Sequence, residues 1–182
     1  MTRKEVTKRI VRLGMLGALG VVLALIIHFP IFPAASYLEY DPADVPIFIA
    51  AFLYGPWYGV ALTVVVSFIQ GFTVSGGSGI VGVVMHIAAT GAFCAVAGNI
   101  YRIKKTHKTA VAALILGSLT MVAVMCVMNY LITPLFSPGV TRETVLGMLL
   151  PIIVPFNLIK AGINSAVTML IYKPVRRVLE KN

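Results

Sequence analysis

The sequence is poor in charge, and above all in negative charge. Only six of its 182 residues are Asp or Glu, against 15 Lys or Arg, and charged residues of both signs make up 12% of the chain. Soluble domains carry roughly 25%, so there are too few charges to cover a surface that faces water. The shortage excludes a soluble enzyme and indicates that lipid contacts much of the protein.

The sequence also lacks the residue sets that carry chemistry in many membrane proteins. It contains no Gly-x4-Gly-Lys-Ser/Thr phosphate loop, so the chain does not hydrolyse ATP by that route. No Asp or Glu lies in the middle of an apolar run, which removes the usual ion carriers of secondary transporters. Cys94 and Cys126 lie in apolar runs and are expected to pack as small hydrophobes. No metal site is predicted, and the absences favour binding over catalysis.

Long apolar runs take the place of the missing charge. Apolar residues make up 59% of the chain, and their runs predict an all-α integral membrane protein, a single domain over 1–182 with six transmembrane helices. The helices are predicted over about 9–29, 42–54, 57–72, 80–101, 109–133 and 149–172. The apolar run 13–29 is longer than the ~7–15 residues of a signal-peptide core, so it is interpreted as the first membrane helix.

Proline and aspartate set several predicted helix ends. Helix one is expected to end at Pro30 and helix five at Pro134, because proline does not continue a helix. Helix two is expected to begin with Asp41 as its N-cap, Pro42 as its first residue and Asp44 in its first turn.

The basic residues orient the helices. Thirteen of the 15 fall in three clusters, at 3–12, 102–108 and 173–181, and six spans place all three on one side. Because cytoplasmic loops are enriched in Lys and Arg, the protein is predicted to cross the cell membrane several times with both termini in the cytoplasm. The clusters flank apolar runs, which argues against a nucleic-acid partner.

Lys160 lies in the middle of an apolar span. A charge there costs at least ~2.5 kcal/mol unless it finds a partner or water, so Lys160 is predicted to contact a ligand; a snorkelling or internally paired lysine is the alternative. Asn157 shares its helix face at a spacing of three residues, and Asn129 is a further polar group in helix five. For each asparagine the alternative is an interhelical hydrogen bond.

The loop after helix one carries aromatic and apolar residues, Tyr37, Leu38 and Tyr40, which predict a cover over a planar ligand. For Asp41 and Asp44, which follow in the same region, a role in capping helix two is a sufficient explanation.

Polar residues also occur in helices three and four. Ser67 and Gln70 share a face of helix three and are predicted to line the same interior, with pairing between helices as the alternative. His86 has no second histidine at ligand spacing and is predicted to have a core or helix-contact role.

Helix one carries small residues at spacings of three or four: Gly14 and Ala18, and Gly17, Gly20 and Ala24. Small residues let another helix approach closely. The pattern favours either packing within the chain or docking of a partner subunit, and does not choose between them.

Four segments together resemble one known family, the riboflavin-specific substrate-binding subunits (S components) of energy-coupling factor (ECF) vitamin transporters. The resemblance covers essentially the whole chain, and its segments are Tyr37-Leu38-Glu39-Tyr40-Asp41-Pro42-Ala43-Asp44-Val45-Pro46, Gly55-Pro56, Asn129-Tyr130 and Pro155-Phe156-Asn157-Leu158-Ile159-Lys160. It implies a non-enzymatic subunit that captures riboflavin or flavin mononucleotide from outside the cell, as a transported ligand and not as a cofactor.

The resemblance also implies which residues act. Asn129, Asn157 and Lys160 would contact the polar groups of the flavin, with Tyr37, Leu38, Tyr40 and Asp41 in the covering loop. The small residues of helix one, Gly14, Ala18, Gly20 and Ala24, would dock on a scaffold membrane subunit, which two cytoplasmic ATPases complete.

The resemblance has one exception, in helix three. Many riboflavin-type members carry a Lys-Asn pair late in this helix, where this chain has Ser67 and Gln70. The alternatives are an S component for another vitamin such as pantothenate, an independent transporter, or a membrane enzyme acting on lipid or peptide.

Overall fold

Seven α-helices make up most of the protein. A computed structural model describes residues 2–35, 38–73 and 79–180, with the side chains of Ala34 and Glu180 left out. The helices are α1 (Arg3–Ile26), α2 (Asp44–Tyr54), α3 (Pro56–Thr73), α4 (Gly79–Ile103), α5 (His107–Phe136), α6 (Arg142–Met148) and α7 (Val154–Glu180). A π-helical turn, Leu149–Ile153, joins α6 to α7.

The predicted all-α membrane fold is confirmed, with one qualification about the second helix. Five helical stretches are long and apolar enough to cross a membrane, namely Arg3–Ile26, Pro56–Thr73, Gly79–Ile103, His107–Phe136 and Arg142–Leu179. The sixth apolar helix, α2, has 11 residues and is therefore ~16 Å long, about half the hydrocarbon thickness of a bilayer. The described residues thus contain five helical stretches long enough to span a membrane and one short apolar helix.

The short helix α2 lies at the centre of the bundle. Its first nine residues, Asp44–Phe52, are all buried. Phe48 stacks on Phe93 of α4 with ring centroids 3.6 Å apart, and Phe52 stacks on Tyr101 at 4.3 Å. Because every face of α2 contacts protein, its sequence is apolar throughout rather than on one side.

Close packing of α3 on α4 depends on glycine. A Cβ at Gly98 would lie 2.8 Å from the Cα of Pro56, and one at Gly59 would lie 2.6 Å from the Cβ of Ala51. Gly55, which separates α2 from α3, has a φ of 110°, a conformation open mainly to glycine. These residues allow α2, α3 and α4 to meet without intervening side chains.

Helix α1 begins earlier than predicted. It starts at Arg3 instead of residue 9 because Thr2 and Glu5 form a capping box, with Glu5 Oε2 accepting from Thr2 N at 2.7 Å. It ends at Ile26.

After α1 the chain forms a small hairpin that the sequence did not indicate. Strand β1 (Phe29–Pro30) pairs antiparallel with β2 (Glu39–Tyr40). A short 3₁₀ turn at Pro33–Ala35 follows β1. The loop predicted after helix one is therefore held at Glu39 and Tyr40 to the chain that precedes it.

The prediction that α5 ends at Pro134 is wrong. The helix continues to Phe136 and closes with a bond from Ser137 N to the Thr133 carbonyl at 3.0 Å. Proline removes one N–H donor and crowds the preceding turn, but the residues on both sides of Pro134 stay helical as far as Phe136.

The connection predicted over 134–147 is partly helical. Thr141 caps α6 by accepting from Thr144 N at 3.2 Å, and α6, the π-helical turn and α7 follow one another without interruption. The helix predicted over 149–172 therefore begins at Arg142 and contains a π-helical turn that includes Pro151.

Candidate functional site

A cavity of about 480 Å³ lies between α3, α4, α5 and α7, beneath the segment that contains β2. This volume is in the range of small-molecule sites. The described lining residues are Leu38, Glu39, Asp41, Ser67, Gln70, Gly71, Val81, Gly82, Val83, Met85, His86, Ala89, Met121, Met125, Thr133, Phe136, Ser137, Phe156, Asn157 and Lys160. Eleven of these residues are apolar or glycine, and nine are polar or charged.

The α7 wall of the cavity presents Asn157 and Lys160 on one helix face, as their spacing predicts. Asn157 Nδ2 donates to the carbonyl of Ile153 at 2.8 Å. That carbonyl ends the π-helical turn, so the turn fixes the orientation of the amide. One of the two amide hydrogens is used in this way.

Lys160 is paired within the protein. Its Nζ lies 2.7 Å from Asp41 Oδ2 and 3.5 Å from the carbonyl of Glu39. Internal pairing was the alternative to ligand contact, but Lys160 also lines the cavity. An ammonium has three hydrogens, so one donor remains for a ligand.

One turn further along α7, Asn164 holds the same segment. Its Nδ2 donates to the Asp41 carbonyl at 3.2 Å and to Asp44 Oδ2 at 3.3 Å, and its Oδ1 accepts from the Tyr40 hydroxyl at 3.1 Å. Burial raises the pKa of Tyr40, and the nearby Asp41 carboxylate raises it further. The phenol therefore stays protonated and able to donate.

Asp44 lies in the first turn of α2, as predicted, but its side chain does not cap the helix. The prediction of Asp41 as the N-cap and Pro42 as the first helical residue is wrong, because α2 begins at Asp44. The carboxylate is completely buried, and the N-cap position of α2, Ala43, has no side-chain cap bond. Asp44 Oδ1 accepts from His86 Nε2 and from Thr90 Oγ1, both at 2.9 Å. Asp41 is closer to the predicted role, since its Oδ1 accepts from Ala43 N at 3.0 Å.

His86 extends this network to the cavity. Its Nδ1 lies 2.8 Å from Ser67 Oγ, and Ser67 Oγ donates to the Thr63 carbonyl at 2.6 Å. Both His86 and Ser67 line the cavity. Within the described residues no three His, Cys, Asp or Glu side chains gather closely enough to hold a metal ion. The sequence did not indicate these particular contacts of His86, because its partners are distant from it in the chain.

Gln70 differs from the other polar lining residues. Its side chain is 7% exposed and faces the cavity on the α3 side. In the described part of the chain it has neither a hydrogen bond nor an ion pair.

Two other predicted contact residues lie away from the cavity surface. Asn129 is fully buried, donates to the Met125 carbonyl at 2.8 Å and accepts from Thr133 Oγ1 at 3.1 Å. Tyr40 is buried against α7, as described above. Tyr37, the remaining predicted residue, lies outside the described residues.

Comparison with known proteins decides the family. Residues 8–172 match the family model described as "ECF transporter, substrate-specific component". The chain belongs to this family.

Two riboflavin transporters and one solved structure are similar to this chain over nearly their whole length. The riboflavin transporter RibU of Staphylococcus aureus is 31% identical over 96% of this chain and 93% of that protein, and the riboflavin transporter FmnP of Bacillus subtilis is 29% identical over 96% and 95%. A solved structure described as the S component of a bacterial ECF transporter superposes with a TM-score of 0.80 at 32% identity, covering 96% of this chain and 98% of that one.

In this S component the small residues of α1 divide between two faces. Gly20 and Ala24 are buried, and a Cβ at Gly20 would lie 3.2 Å from the carbonyl of Ala43. Gly14 and Ala18 are exposed. The four residues therefore do not form one outer surface, because a helix turns by about 100° per residue.

Proposed function

We propose that the protein captures riboflavin outside the cell as the substrate-binding subunit of an ATP-driven ECF importer. The observation that carries this proposal is the 480 Å³ cavity, whose walls combine apolar side chains with nearly as many polar ones. Its support from the comparisons is that two relatives over nearly the full length are riboflavin transporters.

The lining suits a flat aromatic ligand with polar edges. Met85, Met121 and Met125 contribute flexible, polarizable side chains that pack against ring systems. The remaining donor of Lys160 and the amide of Asn157 are placed to bind carbonyl oxygens or ring nitrogens. Riboflavin combines a flat ring bearing such atoms with a hydroxylated chain.

The cavity lies at the end of the bundle opposite the basic clusters. It is formed by the last turns of α3, the middle and last turns of α5, and the first turns of α4 and α7, whereas the clusters lie at the start of α1, between α4 and α5, and at the end of α7. With the basic end in the cytoplasm, the cavity faces outside. Both termini are then cytoplasmic.

The segment above the cavity acts as its cover. Leu38, Glu39 and Asp41 line the cavity from above, while Lys160 and Asn164 of α7 hold the segment through four hydrogen bonds or ion pairs to Glu39, Asp41 and Asp44. Opening this cover requires breaking polar contacts near the ligand.

The remaining subunits supply energy. A scaffold membrane subunit and two cytoplasmic ATPases would complete the importer, since the chain has no phosphate loop. The exposed small residues Gly14 and Ala18 of α1 offer a surface that another helix can approach closely.

Purification in detergent tests the proposal. The protein is expected to retain yellow flavin absorbance, and after removal of the ligand to bind riboflavin tightly in a fluorescence titration, with pantothenate as a non-competing control. A colourless protein that binds pantothenate and not riboflavin would reject the flavin assignment. Uptake by vesicles that contain this chain alone would reject the need for ATPase partners.

A further inference from the structure

We propose that His86 is a positioning residue that acts as an imidazolium. Its ring carries a proton on both nitrogens, holds the buried Asp44 carboxylate next to the cover, and makes vitamin capture depend on pH. The protonation of the ring follows from hydrogen-bond geometry alone, whereas its effect on capture rests on the proposed function.

The Nδ1 side of the His86 ring faces a hydroxyl group whose hydrogen is already used. Ser67 Oγ donates to the Thr63 carbonyl at 2.6 Å and lies 2.8 Å from His86 Nδ1. A hydroxyl group has one hydrogen and two lone pairs. With that hydrogen on the carbonyl, Ser67 Oγ accepts from the ring, so Nδ1 carries a proton.

The Nε2 side of the ring faces a carboxylate. Nε2 lies 2.9 Å from Asp44 Oδ1, which also accepts from Thr90 Oγ1 at 2.9 Å. The second carboxylate oxygen, Oδ2, accepts from Asn164 Nδ2 at 3.3 Å. Donors to both oxygens favour the ionised form of a carboxyl group, and an ionised carboxylate only accepts. Nε2 therefore carries a proton as well, and the ring is positively charged.

The charges around the ring favour this state. Helix α4 packs against α2, α3 and α5. Asp44 faces His86 from α2, whereas α3 contains no Asp, Glu, Lys, Arg or His, and those of α5 lie in its first turn. Around the cavity, Lys160 is paired with Asp41, and Glu39 adds a further carboxylate to the lining. Carboxylates thus outnumber cations among these described groups, which favours a protonated ring.

The pair of His86 and Asp44 is connected to the cover through α7. Asn164 Nδ2 donates both to Asp44 Oδ2 at 3.3 Å and to the Asp41 carbonyl at 3.2 Å. Charge-assisted hydrogen bonds are roughly twice as strong as neutral ones. Loss of a ring proton therefore weakens the hold on Asp44, and with it the hold of Asn164 on the cover.

Nitrogen NMR of the full chain in detergent, labelled at histidine, tests the protonation of the ring. The chain contains three His, and the signals lost in His86→Gln belong to His86. His28→Gln and His107→Gln give the same assignment by elimination, so it does not depend on the folding of one variant. Near neutral pH, both His86 nitrogens are expected to show one-bond coupling to hydrogen. A His86 nitrogen without a proton overturns the inference.

Riboflavin titrations over about pH 5 to 9, a range that includes the ordinary titration of histidine, test the effect on capture. The protonated ring makes the ion pair, so its contribution is present at low pH and lost as the pH rises. Wild-type affinity should fall about three- to tenfold over this loss, the effect of one weakened hydrogen bond. His86→Gln should bind about as weakly as the deprotonated protein and lack this fall.

The matched control is His107→Gln, at the exposed first residue of α5. It makes the same substitution away from the cavity lining and should keep the wild-type dependence on pH. Size-exclusion elution and thermal unfolding establish that each variant is folded. A role of His86 in packing alone would lower affinity in His86→Gln without a dependence on pH in the wild-type protein.

The outcomes distinguish this inference from the proposed function. Riboflavin affinity of the wild-type protein that does not change with pH, or an equal fall in a folded His86→Gln protein, overturns the role of His86 and leaves riboflavin capture intact. Absence of riboflavin binding over the whole pH range overturns riboflavin capture, and the nitrogen signals still decide the protonation of His86.

Discussion

Lys160 Nζ of α7 lies 2.7 Å from Asp41 Oδ2 in the segment above the cavity, although the two residues are 119 positions apart in the chain. The side chains are 9% and 16% exposed, so the pair is largely withdrawn from water. Pairing offsets part of the cost of an ammonium at membrane depth. The same lysine lines the cavity, so the proposed cover and the proposed ligand site share one side chain.

Replacing Lys160 should affect binding and stability together. Lys160→Met removes the charge and its donors, and riboflavin binding is expected to weaken by roughly 1.5–3 kcal/mol, about ten- to a hundredfold. The variant also leaves the Asp41 carboxylate without its cation, so the free energy of unfolding should fall by about 1–3 kcal/mol. Asp41→Asn in the same background should recover part of the stability but not the affinity. Riboflavin titration and thermal unfolding in detergent measure the two effects.

A matched single variant separates ligand contact from cover closure. Asp41→Asn weakens the ion pair but leaves the Lys160 ammonium in place, so it should reduce riboflavin affinity less than Lys160→Met does. Equal losses in the two variants would show that Lys160 acts by holding the cover. Unchanged affinity in a folded Lys160→Met protein would remove the residue from the site.

Asp44 should be essential for stability because donors surround its carboxylate. His86 and Thr90 donate to Oδ1 and Asn164 donates to Oδ2. Asparagine has one acceptor oxygen, so Asp44→Asn turns an NH₂ group toward at least one donor and removes the charge beside His86. The free energy of unfolding is expected to fall by about 3 kcal/mol, as when a buried pair loses one partner.

The control for this variant is Glu143→Gln, in the exposed first turn of α6. It removes the same charge at the surface and should change stability by less than about 0.5 kcal/mol. Thermal unfolding followed by circular dichroism measures both variants. Similar stabilities for the two proteins would contradict a structural role for the Asp44 network.

The case of Asp44 shows where prediction from the sequence fails. An aspartate at the start of a helix is normally a cap, and nothing near it in the chain indicates burial. Its burial depends on His86, which is 42 residues away, and on Asn164, which is 120 residues away. By contrast, Asn157 and Lys160 share one face because their spacing alone requires it, so that part of the site was predictable.

Helix ends and side-chain directions were less predictable from the sequence than the positions of the helices. Apolar runs locate the helices, but Pro134 lies inside α5 because its neighbours continue the helix for two more residues. Asn129 follows Met121 and Met125 at intervals of four, and both methionines line the cavity. Its amide nevertheless bonds to the Met125 carbonyl, a choice of rotamer that helical periodicity does not determine.

Glycine packing between α3 and α4 gives a prediction about stability alone. At Gly98 a Cβ would lie 2.8 Å from the Cα of Pro56, whereas at Gly91, on the same helix, it would meet nothing within 4 Å. Gly98→Ala should therefore destabilise the protein by about 1–3 kcal/mol through overpacking. Gly91→Ala should stabilise it by about 0.5–1 kcal/mol, the gain of alanine over glycine inside a helix. Thermal unfolding of the two variants should shift in opposite directions, and a shift in the same direction would contradict the packing seen here.

The exposed small residues of α1 predict how the S component joins its partner subunit. Ala18 and Gly14 lie on the outer face of the helix, away from the cavity lining. Ala18→Leu should impair co-purification with the scaffold subunit, because a bulky residue prevents close approach of a second helix. Riboflavin affinity of the isolated chain should remain nearly unchanged. Ala112→Leu makes the same change at an exposed position of α5 and should affect neither measurement. Equal loss of assembly and of vitamin binding in Ala18→Leu would mean that α1 serves the fold of the chain and not the partner.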